Sequence, residues 1–216
     1  PAANYRVLVV EDNPVNQLVA AGLLRALGYA CATVDDGARA VAEVHTGGYD
    51  AVLMDVQMPG MDGYAATRAI RAAGSTVPVI AMTAAAVEGE RERCIDAGMD
   101  DFLTKPVDPV ALGAVLERWV GSRARSAPSA VEAPTPSLSN DRNGADELDT
   151  ARLDELRDLD PGDTTYLDRA IGNFVRNTPE VLTSIRKAIA DQDAAALKQV
   201  SHKLAGGALN LGVVSA

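Results

Sequence analysis

The chain has 216 residues, of which 47% are hydrophobic and only 4% aromatic, so its core must be built mainly from Ala, Val, Leu and Ile. A formal net charge of −10 argues against nucleic acid or an anionic membrane as the main partner. No apolar stretch reaches the roughly 18–20 residues of a membrane span. Cys31 and Cys94 form no CxxC motif, which suits a reducing cytoplasm. The chain begins with Pro1, as expected of a processed chain or a piece of a longer one.

Residues 5–120 alternate short apolar runs with segments of helical periodicity. The patterns predict strands over 6–10, 30–34, 51–55, 78–82 and 101–103, and helices over 14–27, 37–46, 63–72, 87–97 and 107–119. Pro14 suits the first turn of the first helix, and Gly28 suits its end. This alternation predicts an α/β domain with a doubly wound, five-stranded parallel sheet.

Polar side chains follow four of the predicted strands, at the point where each apolar run ends. They are Glu11 and Asp12 after the first strand, Asp55 at the end of the third, Thr83 after the fourth and Lys105 after the fifth. In an open parallel sheet, the carboxyl ends of the strands form the crevice where ligands bind. Three carboxylates repel one another unless a cation lies among them, so the cluster predicts a hard divalent metal.

The rest of the chain changes character twice. Residues 121–147 are rich in Pro, Ser, Ala and charge without a sustained period, and we interpret them as a flexible linker that spans roughly 30 Å. Residues 148–216 show helical periodicity and predict an all-α bundle domain. The apolar stripe of its long helix continues through Pro179, so a kinked helix and two separate helices both remain open.

Residues 5–120 resemble the receiver domain of two-component signalling proteins, because the strand-end residues match that family in type and order. The run at 11–16 is similar to the version in hybrid sensor histidine kinases. The resemblance implies a flavodoxin-like sheet of order 2-1-3-4-5, phosphorylation of Asp55 and a cis peptide between Lys105 and Pro106. Phe102 lies where the family places its signalling aromatic, although a core phenylalanine is the plain alternative.

A carboxylate that attacks phosphorus must approach an anion, so negative charge has to be neutralised at the site. Mg²⁺ is the predicted cofactor. Its predicted ligands are Asp12, Asp55, Glu11 through water and, by the resemblance, the main-chain carbonyl of Gln57. Lys105 is expected to pair with one phosphoryl oxygen and Thr83 to donate to another.

The run at 201–206 resembles the H-x-L-K-G motif of histidine phosphotransfer domains, which are helical bundles. His202 and Gly206 match the motif, whereas Ala205 stands where the family has lysine. Lys198, four residues before the histidine, is expected to supply the missing charge. His202 lies about 200° around its helix from the apolar stripe, so we expect it to face solvent. Gly206, one turn later, leaves room for the crevice of another protein.

The family bundle has a further helix hairpin after the histidine helix, so a chain that ends at Ala216 predicts an incomplete, truncated bundle. Its uncovered apolar face would favour pairing with a second copy. We divide the chain into a receiver domain at 1–120, a linker at 121–147 and a histidine phosphotransfer domain at 148–216.

The predicted function is cytoplasmic phosphorelay signalling within a hybrid histidine kinase. Asp55 would accept a phosphoryl group from a kinase phosphohistidine, and His202 would pass it to a separate response-regulator receiver. The chain would catalyse its own phosphoryl transfer without using ATP. Two alternatives remain open: a docking or dimerisation module that is never phosphorylated, and an aspartyl-phosphate hydrolase. The hydrolase is disfavoured because Gln57 stands where such enzymes commonly carry a second acid.

Overall fold

The structure is a computed structural model that describes residues 5–84, 89–121, 149–158 and 165–213. Within these ranges the first domain has strands β1 (Arg6–Val10), β2 (Ala30–Val34), β3 (Ala51–Asp55), β4 (Val79–Thr83) and β5 (Asp101–Thr104). Its helices are α1 (Pro14–Ala26), α2 (Gly37–Thr46), α3 (Gly63–Ala72), α4 (Glu90–Asp96) and α5 (Pro109–Trp119). The second domain has α6 (Thr150–Asp158), α7 (Thr165–Ala190) and α8 (Ala194–Asn210).

The five strands form one parallel sheet in the order β2-β1-β3-β4-β5, which confirms the predicted topology. The carboxyl ends of the strands are level, with Asp55 paired to Met82 and Thr83 paired to Thr104. Parallel strands therefore bring residues that are distant in sequence to one edge of the sheet.

Two helices begin later than the sequence predicts. Helix α5 begins two residues later than expected, because Asp108 caps it and accepts a 2.7 Å hydrogen bond from the Ala111 N–H. Helix α4 begins at Glu90 rather than at 87, and residues 87 and 88 lie outside the described part of the chain. The predicted linker, apart from Gly121, also lies outside it.

The sheet separates two apolar clusters, because alternate strand residues point to opposite faces. On one face, Leu8 and Val52 pack with residues from α2, α3 and α4. On the other, Val9 and Leu53 pack with residues from α1 and α5. This second cluster also contains Leu156 of α6, Ala170 of α7 and Leu211, which follows α8. The second domain thus packs on the α1 and α5 face of its own receiver.

Helix α7 runs unbroken through Pro179, which settles the alternative that the sequence left open. The Thr178 hydroxyl donates to the Phe174 carbonyl at 2.7 Å, one of the local hydrogen bonds beside the proline. Part of the apolar stripe of α7 is buried against the receiver, and part is exposed to solvent. Leu167 and Phe174 pack on the receiver cluster, whereas four residues remain exposed by 39–62%: Ile171, Val175, Leu182 and Ile189.

No described helix combines the length and the apolar character that a membrane crossing would need.

Gly63, the first residue of α3, lies against the main chain that carries Asp55. A Cβ atom added there would overlap the Asp55 carbonyl oxygen and come within 2.9 Å of the Val56 Cα. We therefore expect Gly63→Ala to lower the free energy of unfolding by about 1–3 kcal/mol or more, because neither contact can relax through a side-chain rotation.

Gly113→Ala is the matched control, since its Cβ would meet only the two methyl groups of Leu27, at 3.6 and 4.0 Å. In the interior of α5 this change should stabilise the protein by roughly 0.5–1 kcal/mol. Urea unfolding of both variants measures the contrast, and equal unfolding midpoints would contradict the packing argument.

Candidate functional site

Three carboxylates meet at the carboxyl edge of the sheet, as the sequence predicts. Ligand oxygens of Glu11, Asp12 and Asp55 all lie within 4.8 Å of one another. Glu11 and Asp55 are each only 1% exposed, whereas Asp12 lies at the more open rim. The arrangement places one partly buried and two fully buried acids around a single point.

Lys105 neutralises part of this charge from within the protein. Its Nζ lies 2.6 Å from Glu11 Oε2 and 2.7 Å from Asp55 Oδ2, and all three side chains are almost fully buried. Burial alone would lower the pKa of Lys105, but the carboxylates of Glu11 and Asp55 outweigh it and raise the pKa. The ammonium therefore stays charged beside Asp55.

Glu11 is held from both sides of its carboxylate. Oε1 accepts hydrogen bonds from the Asn13 N–H and from Asn16 Nδ2, and Oε2 accepts from Lys105. Burial raises the pKa of Glu11, and the charge of Lys105 opposes that rise. A direct bond from a metal to Glu11 would displace one of these donors, whereas a bridging water would leave them in place.

The other predicted site residues lie around this centre. Gln57 donates its main-chain N–H to Asp55 Oδ1 at 3.1 Å, while its side chain is exposed. Thr83 is buried at the end of β4, and its carbonyl accepts from the Lys105 N–H at 2.7 Å. The Lys105–Pro106 peptide is cis, as expected. Phe102 is half-buried and packs on the cluster shared with α2, α3 and α4.

The histidine helix α8 reaches this edge of the sheet through Lys203, a residue that the sequence analysis did not single out. Asn13 Nδ2 donates to the Lys203 carbonyl at 2.9 Å. In return, Lys203 Nζ lies 3.2 Å from the carbonyl oxygen of Asp12 and 3.2 Å from its carboxylate Oδ2. The only sequence signal that pointed to Lys203 was its place next to His202 in the motif. Its pairing with Asp12 could not be predicted, because the sequence does not say which face of α8 is covered.

A second polar contact lies two turns further along α8. Asn210 Nδ2 donates to Asn16 Oδ1 at 2.8 Å, and Asn16 in turn donates to Glu11. Two glycines allow this close approach: a Cβ at Gly206 would lie 3.2 Å from Asn16 Nδ2, and one at Gly207 would lie 3.1 Å from Asn13 Nδ2. Gly206 was expected to admit the crevice of another protein, and here it admits that of its own receiver.

His202 is half-buried, so the expectation that it faces solvent is wrong. The face of α8 opposite its own apolar stripe is covered by the receiver rather than by water. Burial, followed by the charge of Lys105, lowers the pKa of His202 below 6.5, and Glu11 and Asp12 act in the opposite direction. Lys198 is exposed and also lowers the pKa, which places it within electrostatic range of the imidazole.

We expect a nuclear magnetic resonance titration of the imidazole to give His202 a midpoint below 6.5. Because the unfolded chain then binds more protons than the folded one, the stability contributed by neutral His202 is complete above pH 6.5. It is lost as the pH falls from there through the folded-state pKa. His202→Gln should remove this dependence of stability on pH. His45→Gln, at an exposed position on α2, identifies which imidazole signal belongs to which histidine. A midpoint above 6.5 would contradict the burial of His202.

Comparison with known proteins agrees with this architecture. Residues 7–117 match the response regulator receiver domain family, and residues 169–216 match the Hpt domain family. The chain is 36% identical over 217 residues to the sensor protein GacS of Pseudomonas syringae pv. syringae. That match covers 96% of the chain but 23% of GacS, so the chain spans about a quarter of its relative's length.

Two solved structures are similar to the first domain. The receiver domain of sensor histidine kinase PA1611 from Pseudomonas aeruginosa PAO1, solved with a magnesium ion coordinated in its active site cleft, is 51% identical with a TM-score of 0.52. It aligns with 56% of this chain and 100% of its own. A chain from the co-crystal structure of the Saccharomyces cerevisiae histidine phosphotransfer protein Ypd1 and the Ssk1 receiver domain is 28% identical, with a TM-score of 0.54. It aligns with 57% of this chain and 94% of its own.

Topology, strand-end chemistry and both family matches agree. The chain belongs to the response regulator receiver family, and an Hpt domain follows its receiver, the pairing through which an aspartate and a histidine serve phosphorelay signalling.

Proposed function

We propose that this chain is a cytoplasmic phosphorelay segment of a hybrid histidine kinase, with a receiver at 1–120, a linker at 121–147 and an Hpt domain at 148–216. Asp55 accepts a phosphoryl group from a kinase phosphohistidine, and His202 takes it from Asp55 and donates it to a separate response-regulator receiver. The observation that carries the proposal is the meeting of Asp55, Lys105 and two further acids at an edge of the sheet that the histidine helix α8 reaches through Lys203.

The transfer from Asp55 to His202 balances without an added reactant. The lone pair of an unprotonated ring nitrogen of His202 attacks phosphorus and forms a P–N bond. The P–O bond to Asp55 breaks, and its electron pair returns to the carboxylate. A lowered pKa keeps the attacking nitrogen unprotonated near neutral pH, so no proton has to leave before attack. Lys105, which lies 2.7 Å from Asp55 Oδ2, balances charge on the carboxylate as it departs.

Mg²⁺ fits the donor set, because hard carboxylate oxygens are the ligands it prefers and three of them converge here. Asp12 and Asp55 would hold it directly, Glu11 through water, and the Gln57 carbonyl would complete the protein ligands. When bound, the ion neutralises phosphoryl oxygens. Asp12 is the least buried of the three acids.

The remaining site residues have supporting roles in this proposal. Thr83 donates to a phosphoryl oxygen, and Phe102 reports the phosphorylated state to the surface beside β5. Lys198 supplies positive charge near the histidine, and Gly206 leaves space for a receiver crevice. The exposed apolar residues of α7 offer a surface on which a second copy of the chain could pair.

The test is to incubate the chain with acetyl phosphate, with and without Mg²⁺, and to follow its intact mass. We expect a Mg²⁺-dependent gain of a phosphoryl group, first on Asp55 and then on His202. No gain in mass would support the unphosphorylated docking module instead. Steady release of phosphate over many turnovers, without accumulation on the protein, would support the hydrolase.

A further inference from the structure

We propose that Lys203 is a positioning residue. It fixes how helix α8 of the Hpt domain lies on the receiver of the same chain, and so prepares transfer between Asp55 and His202. This inference rests on the proposed function. It adds that the Hpt domain acts with the receiver of its own chain and that Lys203 positions the two domains. Lys203 is adjacent to His202, so fixing its position in the helix also fixes the position of the imidazole.

The contact holds both ends of the lysine. Asn13 Nδ2 binds the Lys203 carbonyl at 2.9 Å, which restrains the helix backbone itself. The Asp12 carbonyl and carboxylate, each at 3.2 Å, bind the ammonium at the end of the side chain. Two independent contacts to one residue leave little freedom for α8 to slide along or rotate over the crevice.

The charges explain why a lysine is suited to this position. The rim of the crevice presents Asp12, and the Hpt motif of this chain has Ala205 where a lysine is usual. Lys203 therefore brings a positive charge to the acidic rim, one residue from the histidine. Its side chain is 37% exposed and that of Asp12 12%, so the pair is only partly screened by water.

The partner is the receiver of the same chain, because the polar contacts continue into a shared apolar core. Leu156 and Ala170 are fully buried, and Leu211 is 5% exposed, within the cluster that α1 and α5 form on the sheet. Asn210 and Asn16, both buried, add a second polar anchor beside this core. A face that is buried to this extent within one chain favours transfer in cis.

Asp12 is shared between Lys203 and the predicted metal site, and this gives a readout that does not depend on phosphorylation. A cation at Asp12 should weaken its pairing with Lys203. The contacts from Asn13 to the Lys203 carbonyl and from Asn210 to Asn16 involve no carboxylate and should persist. Mg²⁺ is therefore expected to loosen the lysine side chain without separating the two domains.

The first experiment joins carboxylates to amines in the full chain with a zero-length carbodiimide reagent. Mass spectrometry of the digest should find the Asp12 peptide linked to the Lys203 peptide, in lower yield when Mg²⁺ is present. An equal mixture of ¹⁴N- and ¹⁵N-labelled chains should give only light–light and heavy–heavy pairs. Mixed pairs would show that a second copy supplies the lysine and would overturn the assignment in cis. Absence of the Asp12–Lys203 product would overturn the contact.

The second experiment follows labelling with acetyl phosphate and compares Lys203→Ala, Lys203→Arg and the control Lys187→Ala, at an exposed position near the end of α7. We expect Lys203→Ala to lower the rate of His202 labelling, relative to Asp55 labelling, by about 10-fold to 100-fold. Arginine should restore most of the rate, and the control should match wild type. An unchanged ratio in Lys203→Ala would overturn the proposal.

The two experiments separate this inference from the function on which it rests. Labelling of Asp55 and His202 without the Asp12–Lys203 product would reject the role of Lys203 and leave the phosphorelay intact. The cross-linked product in a chain that takes up no phosphate would reject the phosphorelay, and with it a positioning role in transfer.

Discussion

Asp55→Asn is expected to reduce phosphorylation of the receiver to background. The amide that replaces the carboxylate is a poor nucleophile toward phosphorus, and it no longer balances the charge of Lys105, 2.7 Å away. Because asparagine has nearly the same shape and Glu11 still pairs with Lys105, the fold should persist. Intact mass after incubation with acetyl phosphate and Mg²⁺ measures the result.

His202→Gln is the matched control for that experiment. It should leave labelling of Asp55 in place and block passage to the second domain, so that phosphate accumulates on the receiver. If the Asp55→Asn chain still gains phosphate in its first domain, the assignment of the acceptor is wrong.

Lys105→Met is expected to have the second largest effect. Methionine fills a similar volume but leaves the carboxylates of Glu11 and Asp55 buried without their cation. Removing one partner of a buried ion pair costs about 3–5 kcal/mol, so urea unfolding should show a loss of that size together with loss of transfer. Lys187→Met, at an exposed position, is the control and should change stability little.

The same unpaired charge predicts how the difference in stability between Lys105→Met and wild type changes with pH. Burial already raises the pKa of Glu11 above 4.5, and removal of Lys105 should raise it further. A group with a raised folded-state pKa stabilises fully below the unfolded value and loses that contribution as the pH rises through the folded value. The gap in stability between Lys105→Met and wild type should therefore narrow as the pH is lowered toward 4.5. A constant gap would show that lost packing, rather than unpaired charge, causes the destabilisation.

Much of the receiver fold could be predicted from the sequence, because the short apolar runs and the polar residues that end them indicate the same parallel sheet. Strands β1, β2 and β3 have their predicted bounds, and Asp12, Asp55 and Lys105 converge where their runs end. Parallel topology requires only that each run ends at the same edge. Once the strands are correctly placed, the polar residues at their ends already lie at one edge, and only the individual side-chain contacts in the crevice remain to be predicted.

The contacts between the domains could not be predicted in the same way. Helical periodicity locates His202 relative to the apolar stripe of α8, but it does not say whether water or protein covers the opposite face. Half-burial of His202 and pairing of Lys203 with Asp12 depend on that second fact. Continuation of α7 through Pro179 could not be predicted either, because the apolar stripe continues past the proline whether the helix runs on or divides there.

The contact between α8 and the edge of α1 is made within a single covalent chain, and this has a consequence for competition inside a cell. A tethered partner is present at an effective concentration on the order of millimolar, whatever the abundance of the protein. A freely diffusing Hpt domain of equal affinity would need a similar concentration to displace it. For the transfer in cis proposed above, tethering would therefore favour the receiver's own Hpt domain over freely diffusing ones of equal affinity.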